Sequence, residues 1–264
     1  MAPSDGDLAH MPDANRPVGR VVAVGASNLT RGFQTIVSTA RTAWGPDVQV
    51  VAALGHGRSY GATSAFLVRK LPAILESGLW PMLADAPAVP TRALVTDVGN
   101  DIVYGSTPAQ IVDWVDEAVA RLGAVSDEVI VTGLPLDSIR RLSRPAFLTV
   151  RSALFPSCRL SHADVIDAAE RLHAGLETLA AARGARFLPL RPSWYGVDPI
   201  HIRPRFWRAA WQEILGVSCD PGRSGLEALR LYAMRPDREW LWGVERRVPQ
   251  TGVRLKRGGR VWLY

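Results

Sequence analysis

Cysteine is almost missing from this chain: Cys158 and Cys219 are the only two among 264 residues. Two cysteines cannot form a disulfide framework, and these two lack the spacing of metal ligands, so both read as structural. Also missing is any uninterrupted apolar run approaching the roughly 18 residues that a membrane-spanning helix needs. The opening residues, MAPSDGDLAHMPDANRPVG, contain no basic segment followed by an apolar one, so they do not read as a secretory signal. Residues 1–18 are expected to be a flexible leader, and the location is expected to be cytoplasmic. Charge is not scarce: at 47% apolar and 21% charged residues, the composition is that of a globular domain and excludes a disordered chain.

A chain of this length can bury one substantial core. The expected division is a main domain over 19–220 and a basic, Trp-containing C-terminal extension over 221–264. The net charge of +6 is unevenly placed. The last 43 residues hold ten Lys or Arg against four Asp or Glu, and the remainder holds 21 of each. A basic tail carrying Trp240, Trp242 and Trp262 has the chemistry for phosphate contact and base stacking. A solvated cationic face whose tryptophans pack on the main domain accounts for the same residues and is the reading preferred.

Short β-branched runs alternate with segments of helical period, the pattern of a parallel sheet with helices on both faces. Strands are read at 20–26, 48–54, 93–98, 128–133 and 185–190. Helices are read at 29–44, 60–79, 108–122 and 161–183. Ser161 and Asp164 have the form of a capping box, and Pro108 suits the first turn of its helix. Residues 139–160 read as an extra helical pair over the strand ends, and 206–215 as a short amphipathic helix. Beyond it the tail reads as turns and short strands, with Gly258-Gly259 marking a hairpin before 261–264. Sheets of this kind bind ligands beyond the carboxyl ends of their strands, which is where chemistry is sought.

The first strand ends in Val24-Gly25-Ala26-Ser27-Asn28 and runs directly into a helix. That places Ser27 at the sheet edge, where free N–H groups and the helix dipole favour an alkoxide or oxyanion. Taken alone, a serine there is a helix cap. The third strand ends in Val98-Gly99-Asn100-Asp101, presenting a carboxamide to the same edge as an oxyanion donor or, in isolation, a turn. After the fifth strand, Asp198-Pro199-Ile200-His201 sets a carboxylate three residues before an imidazole. Such a carboxylate can hold one ring nitrogen and leave the other to take a serine proton. His10 lies in the leader, His162 and His173 are expected to be solvated or capping, and His56 sits in a glycine loop near the site.

That loop, Gly55-His56-Gly57-Arg58-Ser59-Tyr60-Gly61, admits three readings: a backbone N–H donor at Gly57, a phosphate cradle, or a nucleophile elbow, since 57–61 matches G-x-S-x-G. The dinucleotide fingerprint fails because the last glycine is one residue late and the strand is the second. The elbow would make Ser59 the nucleophile. It is disfavoured because Asp198 and His201 share one turn and no HGGG-type segment precedes Ser59.

In order, Gly25-Ala26-Ser27-Asn28, Gly57, Gly99-Asn100-Asp101 and Asp198-Pro199-Ile200-His201 resemble the four blocks of the SGNH/GDSL hydrolase family, over residues 20–215. The resemblance implies a three-layer α/β/α fold with a flavodoxin-like five-stranded parallel sheet, here followed by a small β-rich C-terminal appendage. It implies a catalytic triad of Ser27 as nucleophile, His201 as general base and later acid, and Asp198 orienting the imidazole. It also implies an oxyanion hole from the N–H groups of Ser27 and Gly57 and the side chain of Asn100, with no metal and no cofactor. Two positions depart from the family pattern: Ala26 stands where Asp is common, and Val98 where glycine is frequent, narrowing the cleft beside Asn100.

The activity expected is ester hydrolysis, of esterase, lipase or carbohydrate O-deacetylase type, on a small-molecule or glycan ester through a Ser27 acyl-enzyme. An acyltransferase on the same site is one alternative. A non-catalytic binding protein acting through the basic tail is another. A membrane span and a nucleic-acid partner are not expected. Trp194, Tyr195 and residues 139–160 are candidates for lining the acyl or sugar site.

Overall fold

A computed structural model describes residues 19–154, 158–219, 225–256 and 258–264. The expected leader lies outside the described residues, as do 155–157 of the expected helical pair and 220–224 at the start of the tail. The first element is β1 (Arg20–Val24), buried on both faces as a central parallel strand requires. It is followed by α1 (Ser27–Trp44), β2 (Gln49–Ala53), the short strands β3 (Ser64–Phe66) and β4 (Arg69–Leu71), and α2 (Leu79–Asp85). Next come β5 (Thr91–Val95), α3 (Asn100–Val103), α4 (Pro108–Gly123), β6 (Glu128–Thr132), α5 (Leu136–Arg141), α6 (Arg144–Leu154), α7 (His162–Ala182) and β7 (Arg186–Leu188). The remainder gives α8 (Trp207–Leu215), α9 (Gly225–Tyr232), β8 (Arg238–Leu241), β9 (Val244–Arg247), β10 (Val253–Arg254) and β11 (Arg260–Leu263).

The fold class is the expected three-layer α/β/α arrangement. Five parallel strands run in the order β2-β1-β5-β6-β7, the flavodoxin-like order whose direction reverses between β1 and β5. Alternate residues of β1 feed two cores. Val21 and Ala23 pack with Leu29, Ile36 and Trp211 of α1 and α8, while Val22 and Val24 pack with Ile111, Val115 and Leu172 of α4 and α7. The fit of α8 on α1 is close enough that a Cβ on Gly32 would lie 2.0 Å from the Trp211 ring, so only glycine fits there. The capping box at Ser161–Asp164 and Pro108 in the first turn of α4 are both present.

The main sheet has seven strands rather than five, because the C-terminal segment joins it. Strand β11 pairs in parallel with β2, and β10 pairs antiparallel with β11 at the edge, with Gly258 and Gly259 at positive φ in the hairpin. Trp262, in β11, packs against one of the cores. The tail also supplies β8 and β9 to a second, four-stranded antiparallel sheet, β3-β4-β8-β9. Trp240 there lies under the Arg238 guanidinium, 4.6 Å from its ring centre, whereas Trp242 stays exposed.

The sheet overturns one expectation: residues 60–79 are not a helix but a loop, the β3–β4 hairpin and a single 3-10 turn. The segment is held by partners distant in sequence. Arg69 pairs with the buried carboxylate of Glu239 on β8 at 2.6 Å, and Arg235 adds a second contact to that carboxylate at 3.2 Å. No helix among the described residues is long and apolar enough to cross a membrane.

Candidate active site

The β1–α1 junction shows why Ser27 is not a helix cap. Ala26 occupies the N-cap position and offers no side-chain bond, so Ser27 is the first helical residue with its hydroxyl uncommitted to the helix. The capping is done from another strand. Asp97, following β5, accepts from the Ala26 N–H and the Leu29 N–H at 3.0 Å each through Oδ2, which satisfies helix-terminal donors as a cap side chain would. Asp97 holds this position at φ +60°, a left-handed conformation that Asp tolerates better than most residues.

The hydroxyl of Ser27 lies 2.9 Å from His201 Nε2, and His201 Nδ1 lies 2.6 Å from Asp198 Oδ2. With the Asp198 carboxylate as acceptor, the ring proton belongs on Nδ1, and Nε2 is left to accept from serine. The other Asp198 oxygen, Oδ1, accepts from the N–H groups of Ile200 and His201 at 3.2 Å, so the carboxylate organises its own turn. Burial raises the Asp198 pKa, but His201, the Ile200 N–H and Arg31 together outweigh it and hold the carboxyl below its ordinary range. Ser27 and His201 are buried, whereas the Asp198 side chain is half-exposed.

Asn28 fixes the turn to the serine. Its Nδ2 donates at 2.8 Å to both Asp97 Oδ1 and the Ile200 carbonyl, and its Oδ1 accepts from the Ile202 N–H at 2.8 Å. All polar atoms of this buried amide are used on residues flanking Ser27 and His201. Asn28 and Asp97 have no motif-level signal beyond their positions beside Ser27 and before Asn100, and sequence reasoning assigned neither a role.

Asn100 opens α3 and faces the same crevice, and its Nδ2 is buried without a hydrogen-bond partner among the described residues. Gly57 lies in the loop after β2, whose end is level with that of β1. At φ +66° it has no room for a side chain, since a Cβ would lie 2.5 Å from the Tyr104 hydroxyl, which donates to the Gly57 carbonyl at 2.7 Å. His56 stacks at a tilt on Phe66, 5.6 Å away. Its pKa is lowered by burial and by the nearby charges of Arg31, His201 and Arg69, against a weaker pull from Asp97.

Ser59 is in a different environment. It is fully buried, its N–H donates to Ser64 Oγ, and its hydroxyl accepts from the Ala62 N–H at 3.0 Å. The other letters of the G-x-S-x-G match serve the fold. Arg58 is buried and donates to the carbonyls of Leu54 and Pro72 and to the main-chain oxygen of Tyr264, and burial brings its guanidinium down to about 10. The Tyr60 hydroxyl bridges the carbonyls of Val24 and Thr96. The Tyr60 N–H donates to buried Asp101, whose carboxyl is raised by burial to about 6 against the opposing bonds from Ser59 and Tyr60.

Beside Ser27 the crevice widens into a pocket of about 990 Å³, its open mouth included. Val98 and Tyr195 line it, as do apolar residues of α5, α6 and α7, whereas Trp194 is buried in the core instead. The Tyr195 hydroxyl is buried without a hydrogen-bond partner among the described residues, and burial together with the Asp97 charge pushes that phenol up. His173 accepts from the Leu134 N–H at 3.1 Å and stacks edge-on against Phe187. His162, expected to be solvated or capping, lines the pocket instead; Ser161 does the capping, and the imidazole turns inward against Phe147.

No protein-family model matches the sequence, and no curated protein sequence matches it. Solved structures do resemble the chain. A member of the lipolytic protein G-D-S-L family from Veillonella parvula is 13% identical, with TM-score 0.49, covering 75% of this chain and 97% of its own. An aryl esterase from M. smegmatis is 16% identical, with TM-score 0.49 and coverage of 75% and 100%. A variant of an acetyl-xylooligosaccharide esterase from Geobacillus is 9% identical, with TM-score 0.48 and coverage of 77% and 97%. The likeness lies in the course of the chain.

Proposed function

We propose that the chain is a serine hydrolase of carboxylic esters, with Ser27, His201 and Asp198 as its triad. The observation that carries this reading is the continuous hydrogen-bonded series from Ser27 Oγ through both ring nitrogens of His201 to Asp198. It sits at the carboxyl edge of the sheet and opens on an apolar pocket. Ser27 Oγ attacks the ester carbonyl as His201 Nε2 takes its proton, and the imidazolium returns that proton to the departing alcohol. Water, deprotonated by the same nitrogen, then releases the acid from the acyl-enzyme. The N–H groups of Ser27 and Gly57 and Asn100 Nδ2 are the donors assigned to the oxyanion, and one such donor is worth about 3 kcal/mol of barrier.

The test is covalent. A fluorophosphonate probe should add to the peptide containing Ser27, and Ser27→Ala should abolish both labelling and p-nitrophenyl acetate turnover while Ser59→Ala keeps a measurable rate. Labelling at another residue, or turnover by the Ser27→Ala protein, would overturn the assignment.

A further inference from the structure

The pocket beside Ser27 is apolar for most of its surface, with Val98, Leu134, Ile139, Leu142 and Phe147 among its walls. Two groups break that pattern. Arg151 of α6 and His162 of α7 reach the same pocket from the helices that cover it. They form one cluster with Phe147, whose ring centre is 5.0 Å from that of His162 and 5.8 Å from the Arg151 guanidinium carbon. Among the described residues the cluster's contacts run to Phe147 and Leu160 and not to Ser27, Asp198 or His201.

The cluster is incompletely satisfied. Neighbouring arginines on α5 and α7 have carboxylates: Arg140 meets Asp137 and Glu170, and Arg171 meets Asp167. Arg151, by contrast, donates to the Leu160 carbonyl at 3.0 Å and lies over Phe147, and no carboxylate among the described residues faces it. His162 Nε2 is buried with no hydrogen-bond partner among the described residues. A guanidinium with no carboxylate and an imidazole nitrogen with no hydrogen-bond partner among the described residues cost desolvation energy in an apolar wall that an all-apolar lining would avoid. An anion at this cluster would recover that cost through charge-assisted bonds, with the fork of Arg151 suited to a carboxylate.

Given the acyl-enzyme proposed above, we infer that the pocket accepts an acyl chain that is apolar in its middle and ends in a carboxylate held by Arg151 and His162. The substrate class is then a monoester of an aliphatic dicarboxylic acid. The ester carbonyl sits at Ser27, the methylene chain lies along the apolar wall, and the distal carboxylate reaches the α6–α7 cluster.

Binding tests this separately from catalysis. Calorimetric titration of the full chain with monoamides of dicarboxylic acids of four to ten carbons and with plain alkanamides of matching length should show, at one length, a preference of at least about tenfold for the amide that ends in a carboxylate. Arg151→Leu should erase that preference, Arg151→Lys should retain part of it, and a thermal melt reports that each variant is folded. Equal affinities at every length, or a preference that survives Arg151→Leu, would overturn the inference. Hydrolysis of p-nitrophenyl acetate, whose acyl group is too short to reach the cluster, reports on the triad alone. Selectivity without turnover sinks the hydrolase and keeps the subsite, and turnover without selectivity does the reverse.

Discussion

The Asp97 carboxylate accepts the Leu29 N–H at 3.0 Å, a bond that in most helices is made by the residue at the N-cap itself. The cap position holds Ala26, which cannot make it, and the first helical residue is the serine with which His201 is hydrogen-bonded. Moving the capping oxygen to another strand leaves the Ser27 hydroxyl free for His201. It also ties the helix that opens with Ser27 to β5, the strand that leads into Asn100.

Asp97→Ala should therefore affect catalysis more than binding. Losing the remote cap costs about 1 kcal/mol of stability, and the freed Ser27–Asn28 segment loses its registration with the His201 turn. The expected result is a fall in kcat of about 10- to 100-fold with KM little changed, since small displacements of a reacting group cost on that order. Steady-state kinetics on p-nitrophenyl acetate with a parallel thermal melt would check it. An unchanged kcat would remove Asp97 from the positioning role.

Asn100→Ala deletes a buried donor that has no hydrogen-bond partner among the described residues. Stability should barely move, while kcat falls by about 10²- to 10³-fold, as for other single oxyanion donors. A urea melt together with kcat and KM separates this outcome from misfolding. A large loss of stability with little loss of rate would make Asn100 a structural residue.

Asp101 gives a pH signature. Burial pushes its carboxyl up to about 6 in the folded chain, against 3.8 for an ordinary exposed aspartate, because burial disfavours the charge. A folded pKa above the unfolded one means stability is greatest below about pH 4 and is lost as pH rises towards 6. Asp101→Asn, which mimics the protonated form, should be more stable than the parent above pH 6, on the order of 2–3 kcal/mol at most, and the two should converge below pH 4. Urea midpoints across that range measure the difference. A constant offset at every pH would contradict the assignment.

Arg58→Met should be among the most damaging substitutions in the fold. It strips donors from three buried carbonyls, those of Leu54, Pro72 and Tyr264, and a loss on the order of 3 kcal/mol or more is expected. Chemical denaturation gives the value, and a change under 1 kcal/mol would show the carbonyls are satisfied otherwise.

The parts of this molecule that were legible in the sequence are those whose signals are local. The five parallel strands announce themselves as short β-branched runs, and Ser27, Asn100 and the 198–201 turn stand at strand ends, so their convergence follows from the topology. Residues 60–79 were misread because the apolar positions in Phe66, Leu67 and Leu71 fit a helical face as well as a hairpin. Their deciding partner, Glu239 on β8, lies 170 residues away. Asp97 was passed over for a related reason: its value is in caps and amides contributed by β1 and α1, 68 to 71 residues earlier. His162 looked like a solvated helix start because nothing in its neighbourhood shows that the helix end faces a cavity.

The seating of β11 beside β2 has a consequence for when the protein becomes active. The loop that carries Gly57 is braced by Arg58, whose guanidinium reaches Tyr264 across 206 residues of sequence. A ribosome-bound chain that has already displayed Ser27, Asn100 and His201 still lacks that brace until residues 253–264 have left the exit tunnel. Competence of the proposed site is thus expected to wait until residues 253–264 are free to pair with β2. Stalled nascent chains ending at residue 252 should react poorly with a fluorophosphonate, and chains ending beyond 264 should react fully. On the reading proposed above, the site matures only when this segment is free to fold, with β11 serving as its timer.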